Sequence, residues 1–288
     1  MNRLAPFSIT RRAIYDVIIT HDGVEHAGYL AFLSILSVFP FLVFLVAAVG
    51  FVGQSQIGTE FVALILDNEI IPIDVRSALQ PRIAEIVSGP PQGLLTISIV
   101  GAIWTASSAV EGIRTVLNRA YRVEDTPAYI WRRLMSIAQF LILTLVIILG
   151  MLGFIVIPNL WHRIEEYVPF IELFEESYWS YLRFGLMALV SYCVVTAFYV
   201  VIPNTTLRWW NASRGAIIVV ILWMLFGQLL TAYLSNFNQV NLIYGSLGGI
   251  IAALLFFYVS ALIFIFGAEL NYHLEKARGR RIQAEYDN

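Results

Sequence analysis

Between Tyr244 and Asn271 the chain reads YGSLGGIIAALLFFYVSALIFIFGAELN, and no other stretch constrains the fold as strongly. Glycines cluster at its start, a continuous apolar run fills the middle, and a lone carboxylate, Glu269, stands near its end. As a helix rising ~1.5 Å per residue it would extend about 42 Å, more than the ~30 Å hydrocarbon core of a bilayer. It must therefore tilt or let its last turns protrude, which places Glu269 near one membrane face rather than at the midplane. Composition points the same way. Hydrophobic residues make up 59% of the chain and charged residues 13%, with a mean hydropathy of +0.75, against roughly 25% charge in soluble domains.

The apolar stretches together predict an all-α, polytopic membrane protein. It is expected to be a bundle of six transmembrane helices at about 29–53, 94–113, 134–157, 182–202, 212–234 and 244–271, with short amphipathic interfacial helices. Residues 1–28 form an N-terminal cytoplasmic segment in which Ile14, Val17, Ile18 and Val24 share one apolar face, a helix lying on the membrane surface. This segment lacks a short apolar core with a small-residue cleavage site, so the first span is expected to serve as an uncleaved anchor. Pro40 should kink that span. Residues 54–93 predict an amphipathic cap with Asp74 as N-cap and Val75, Leu79, Ile83 and Ile86 at helical spacing. Residues 158–181 combine acidic and aromatic side chains, as in an interfacial belt. Residues 272–288 form a basic cytoplasmic tail. Cys193, the single cysteine, can form no intrachain disulfide and is expected to be a small buried hydrophobe.

Charge asymmetry predicts orientation. With six spans and the N-terminus inside, the inner segments carry Arg3, Arg11 and Arg12, then Arg114, Arg119, Arg122, Arg132 and Arg133. They also carry Arg208 and Arg214, and finally Lys276, Arg278, Arg280 and Arg281, fourteen of the eighteen basic residues. The positive-inside rule then puts both termini in the cytoplasm.

The second span differs from the rest. Ser98, Gly101, Thr105, Ser108 and Gly112 recur at steps of three and four, and the series continues through Thr115, Arg119 and Arg122. A stripe of small and hydroxyl side chains serves either close helix packing or the lining of a polar cavity. Glu111 and Arg114, three residues apart, are placed to pair. Glu269 falls at the same end and requires a basic partner if buried, Arg114 foremost. Such a charge group would either close the inner end of a cavity as a gate or simply cap the bundle. Gly245 and Gly249 form a GxxxG pair suited to packing within one bundle or to a homo-oligomer.

Catalytic chemistry finds little footing. His21, His26, His162 and His273 are scattered, no Cys/His spacing suits zinc, and no Gly-rich phosphate loop is present. No enzyme activity, metal or cofactor is expected. The basic loops are accounted for by topology and anionic lipid headgroups, so the expected partners are membrane lipids and an amphiphilic or small-solute substrate, not nucleic acid.

Several short pieces, in order, carry a resemblance. They are Phe39-Pro40, Asn118 to Tyr121 (NRAY), Ile202 to Asn204 (IPN), Arg214 to Ala216 (RGA), and the YGSLGG and GAELN ends of the last span. Over roughly 29–272 the chain resembles the YihY/BrkB family of bacterial inner-membrane proteins. The resemblance implies a six-helix protein of the inner (cytoplasmic) membrane and the cell envelope. It brings no established catalytic site and does not support the family's former ribonuclease BN label. The function expected is a transporter or flippase-like protein for an amphiphile or small solute. The alternative is a non-transporting structural or regulatory membrane protein.

Overall fold

A computed structural model describes residues 6–53, 92–123, 127–146, 176–235 and 246–279. Helices account for almost all of these: α1 (Pro6–Tyr15), a π-helical turn (Asp16–Thr20), α2 (Gly23–Gly53), α3 (Gln92–Ala120), α4 (Tyr129–Val146), α5 (Glu176–Val201), α6 (Trp209–Ser235) and α7 (Ser246–Ala277). Among the described residues, three segments are long and apolar enough to cross a membrane, namely Tyr129–Val146, Trp209–Tyr233 and Gly249–Ala277. Gly23–Val38 and Met187–Val201 are shorter apolar helices. The cap expected within 54–91, most of the acidic belt, residues 147–157, Gly245 and the tail beyond 279 lie outside the described residues.

Several helices run past their apolar stretches. Helix α2 starts at Gly23, α3 continues to Ala120, and α7 reaches Ala277. Hydropathy marks the part of a helix that lipid can touch. Polar turns propagate the same backbone hydrogen bonds beyond it.

The chain divides into two compact units. One comprises Met1–Ile35, Ala109–Ser136 and Phe170–Asn288, the other Leu36–Ser108 and Ile137–Pro169. In the first, α6 packs against both α5 and α7, and α1 packs against α7. The outer face of α6 is apolar: Ile217, Ile221, Leu225 and Leu229, four residues apart, are all exposed. Buried groups at the C-terminal end of α7 are polar instead, with Glu269, Asn271 and Glu275 among them. That inversion suits a bundle surrounded by lipid, where polar groups turn inward.

Helix α1 is held against the bundle. Ile9 and Ala13 pack with Leu270 of α7, and Val17 joins Ala27, Leu30, Val116 and Ile265. Ile14, Tyr15, Ile18, Ile19 and Val24 are exposed. The apolar residues form two neighbouring faces, one docked on the bundle and one outward. Cys193 is exposed, contrary to expectation, because apolar character does not demand burial where the solvent is lipid.

Close packing occurs at Gly215 and Gly267. A Cβ at Gly215 would collide with the Gly267 carbonyl oxygen and the Asn271 side chain. Asn271 spans the joint, accepting from Gly215 N at 2.8 Å and donating to the Ala212 carbonyl at 2.9 Å. Tyr199 donates to the Phe264 carbonyl at 2.6 Å. Gly249 is exposed, and a Cβ there would meet nothing within 4 Å, so it makes no such joint. Gly215→Ala should accordingly lower stability by about 1–3 kcal/mol through overpacking, whereas Gly249→Ala should not. Thermal unfolding of the two variants in detergent checks this.

In the second unit Phe41 meets Phe140 edge-on, with centroids 6.2 Å apart. Thr105 and Thr144 hydrogen-bond back to the carbonyls of Gly101 and Phe140 on their own helices.

Candidate functional site

The end of α3 sets the geometry. Val123 N donates to the Asn118 carbonyl (2.8 Å) and Arg122 N to the Arg119 carbonyl (3.1 Å), with Arg122 at φ 59°. This is a Schellman termination, in which the left-handed position is usually glycine. Here an arginine occupies it. Asp22, before α2, also has a positive φ of 52°. Non-glycine residues in this region store strain, which tends to gather at functional sites.

The termination aims Arg122 at a buried acid, Glu269, and a partly buried one, Asp16, from two distant elements. Its Nη1 donates to Glu269 Oε2 at 2.7 Å and to the Ala120 carbonyl, and its Nη2 donates to Asp16 Oδ2 at 2.9 Å. The guanidinium carbon lies 3.6 Å from the Tyr272 ring centroid, a cation–π contact. His273 Nε2 also reaches Asp16 Oδ2, at 2.9 Å. His21 Nδ1 faces Glu269 Oε1 at 3.3 Å, although that oxygen makes no hydrogen bond among the described residues. The π turn contributes directly, because it starts at Asp16 and ends just before His21. Such turns are frequent at functional sites.

A second cluster adjoins it. Arg114 is buried and donates to Glu111 Oε2 (2.8 Å), Ser136 Oγ (2.6 Å) and the carbonyls of Arg132 (2.8 Å) and Ile202 (3.0 Å). Arg132 Nε lies 2.7 Å from Glu111 Oε1. Arg119 donates to Asp22 at 2.6 Å. Asn118 and Asn204 clasp each other: the Asn118 amide donates to Asn204 Oδ1 and accepts from Asn204 N. Between these groups lies a cavity of ≈ 470 Å³, lined by charged and polar side chains of α3 together with His21, His26, Arg122, Val123 and Arg132.

Two groups outside the spans have shifted proton affinities. Burial alone would raise the Asp16 carboxyl, but hydrogen bonds from His273 and Thr20 and the nearby Arg122 charge outweigh it and hold it below the ordinary range. Burial, then the Arg122 charge, pushes the His21 imidazole down. Both folded-state values are depressed, so each contribution to stability is present above the ordinary pKa and lost as pH falls through the folded one.

Asp16, Glu269 and His273 bring potential metal-ligand atoms within 4.8 Å of one another. Arg122 bridges the two carboxylates, so the chain itself supplies the positive charge that a metal would bring. A guanidinium also blocks the open coordination position that hydrolytic chemistry requires.

The residues singled out from sequence are distributed differently. Glu111 and Arg114 pair as their spacing requires. Glu269 takes Arg122 and faces His21, a correction to the expected Arg114 partnership, because the turn at Arg122 redirects that side chain off the α3 face. None of Gly101, Thr105, Ser108 and Gly112 is among the cavity-lining residues. Thr105 and Gly101 are exposed, and Ser108 bonds to its own helix at the Trp104 carbonyl. Gly112 packs against Leu33 and Tyr29 of α2, and the side chain of Ser98 lies outside the described residues. The cavity begins at Glu111, farther along the same helix. The roles of Asp16, Arg122 and Asn118 were missed by sequence reasoning. The continuation of the polar series through Thr115, Arg119 and Arg122 was the available signal.

The fold and cluster define an α-helical membrane protein with a cluster of arginine, carboxyl and histidine side chains at one end of its helices. The virulence factor BrkB family matches residues 14–287, and the chain belongs to that family. The ribonuclease-like protein YfkH of Bacillus subtilis (strain 168) is 30% identical over 211 residues, 73% of this chain and 76% of that protein. A UPF0761 membrane protein of Alteromonas mediterranea is 28% identical over 195 residues, 66% of this chain and 62% of the relative. One from Vibrio cholerae serotype O1 is 35% identical over 82 residues, 28% of each chain. No solved structure matches.

Proposed function

We propose that the chain is a six-span protein of the bacterial inner membrane, with both termini cytoplasmic, that moves an amphiphile or small solute of the cell envelope. The carrying observation is the ≈ 470 Å³ cavity with its charged wall, since ionised groups within membrane helices mark pathways. In this reading Glu111, Arg114, Arg122 and Glu269 close the cytoplasmic end of the path. Homo-oligomerisation through the exposed Gly249 face belongs to the same proposal, as does the absence of enzyme activity. The ribonuclease-like name of YfkH suggests a nuclease, but the Arg122 bridge across the only convergent acid–histidine group among the described residues argues against one.

A second reading, a non-transporting structural or regulatory membrane protein, draws support from how fully the ion pairs satisfy one another. Such clasps also serve simply to lock helices together. Reconstitution separates the two. Proteoliposomes should equilibrate a fluorescent phosphatidylcholine probe between leaflets faster than protein-free liposomes, and equal rates would favour the second reading. Single-cysteine labelling in intact cells should reach position 165 from outside but positions 125 and 280 only from inside. Outside labelling of position 125 would overturn the topology.

A further inference from the structure

The cavity wall is unequal in charge. Arg114, Arg119, Arg122 and Arg132 line it against a single carboxylate, Glu111. That carboxylate is already engaged, with Oε2 accepting from Arg114 and Ser136 and Oε1 beside Arg132 Nε. The acids that fix the other arginines, Asp16 and Glu269 for Arg122 and Asp22 for Arg119, are not among the lining residues. Arg114 and Arg122 spend their forks on protein partners, so the cations that face the cavity with donors to offer are Arg119 and Arg132, both part-exposed. Arg119 spends one nitrogen on Asp22 and is 48% exposed, which leaves donors of its five free to meet a ligand.

A cationic ligand would be repelled here, and a neutral one would gain little from the guanidiniums. Planar arginine forks match carboxylate and phosphate oxygens. A carboxylate offers two oxygens and one charge. A phosphate monoester offers three acceptor oxygens and nearly two charges, which suits forks spread around one space. The volume falls within the ~300–1,000 Å³ of ligand pockets and leaves room for the group that the phosphate is attached to.

We infer that this cavity binds a phosphate monoester, borne either by a lipid headgroup or by a soluble ester. The inference rests on the reading of the cavity as the cargo site, and it names the class of cargo. The test uses the full chain in phosphatidylcholine nanodiscs. Thermal unfolding is followed on titration with inorganic phosphate and, in a parallel series, with phosphatidic acid replacing part of the phosphatidylcholine. Saturable stabilisation by inorganic phosphate assigns a soluble ester, and stabilisation by phosphatidic acid assigns a lipid headgroup. Stabilisation by neither overturns the inference.

Arg119→Gln, at a half-exposed position, should fold and weaken binding about tenfold, as loss of one charge-assisted contact predicts. Arg119→Lys should recover part of that loss. Arg208→Gln, at an exposed arginine outside the cavity, should bind as the unmodified chain does. Equal weakening by Arg119→Gln and Arg208→Gln would indicate general attraction to the basic surface and would overturn the assignment. Phosphate binding without movement of either inorganic phosphate across the membrane or phosphatidic acid between leaflets would sink the transport reading and leave this site standing. Equilibration of the phosphatidylcholine probe without phosphate binding would do the reverse.

Discussion

Arg122→Gln is expected to destabilise the protein by about 3–5 kcal/mol, the range for removing one partner of a buried ion pair. Glu269 is fully buried and Asp16 partly so, and both lean on this guanidinium. The variant keeps hydrogen-bonding capacity but leaves two acids facing each other without a cation. Glu269→Gln should therefore rescue part of the loss, with a coupling of roughly 0.5–3 kcal/mol. Pairing Glu269→Gln with Arg114→Gln should give a smaller coupling, because Arg122 is the arginine on that carboxylate. Chemical unfolding of the single and double variants in detergent measures both cycles. Strict additivity of Arg122→Gln and Glu269→Gln would mean that the bridge contributes nothing. Arg122→Gly would relieve the backbone while deleting the side chain, so it should be less damaging than the glutamine variant by about 1 kcal/mol.

Arg114→Gln should be comparably severe. Its guanidinium is almost completely buried and joins three segments: Glu111 on α3, Ser136 and the Arg132 carbonyl on α4, and the Ile202 carbonyl after α5. Removing it strands Glu111 and leaves carbonyls without their donors, again about 3–5 kcal/mol by the same reasoning. Arg114→Lys retains the charge but replaces a fork by a point, and it should not restore stability. A lysine variant as stable as the parent would show that charge alone, not the multidentate geometry, holds these segments together.

Membrane class, the helical fold and family membership were legible in the sequence, and three of the expected spans overlap helices long and apolar enough to cross a membrane. The hydrophobic runs are long and the charges sparse, and short motifs fall in order. The proximity of Glu111 to Arg114 follows from their spacing on one helix. The Glu269 partner was not legible. Periodicity carries the polar series of α3 through Arg119 to Arg122 as though the helix continued, but the helix ends at Ala120. An arginine in the place usually taken by glycine gives no stop signal to a reader of sequence. Asp16 was concealed in the same way, because a π turn shifts its register relative to an ordinary helix. His21 and His273 looked scattered because tertiary packing, not spacing, brings them together. The small-residue stripe serves close packing at Gly112, against Leu33 and Tyr29. It extends toward exposed faces of α3 at Gly101 and Thr105, while the buried face there is built from Ala102, Ala106, Ser107 and Val110.

The stop of α3 has a consequence for the order of assembly. Arg122 and Glu269 are separated by 147 residues, so the arginine leaves the ribosome long before its acid does. Asp16 is already available, but half of the bridge is missing until the final helix has been made. A chain halted before α7 therefore holds a partly neutralised arginine, a strained backbone turn and an undocked α1. Completion of the last helix supplies Glu269, His273 and the docking surface for α1 in one step, which makes the closing segment of translation the event that locks the earliest one in place.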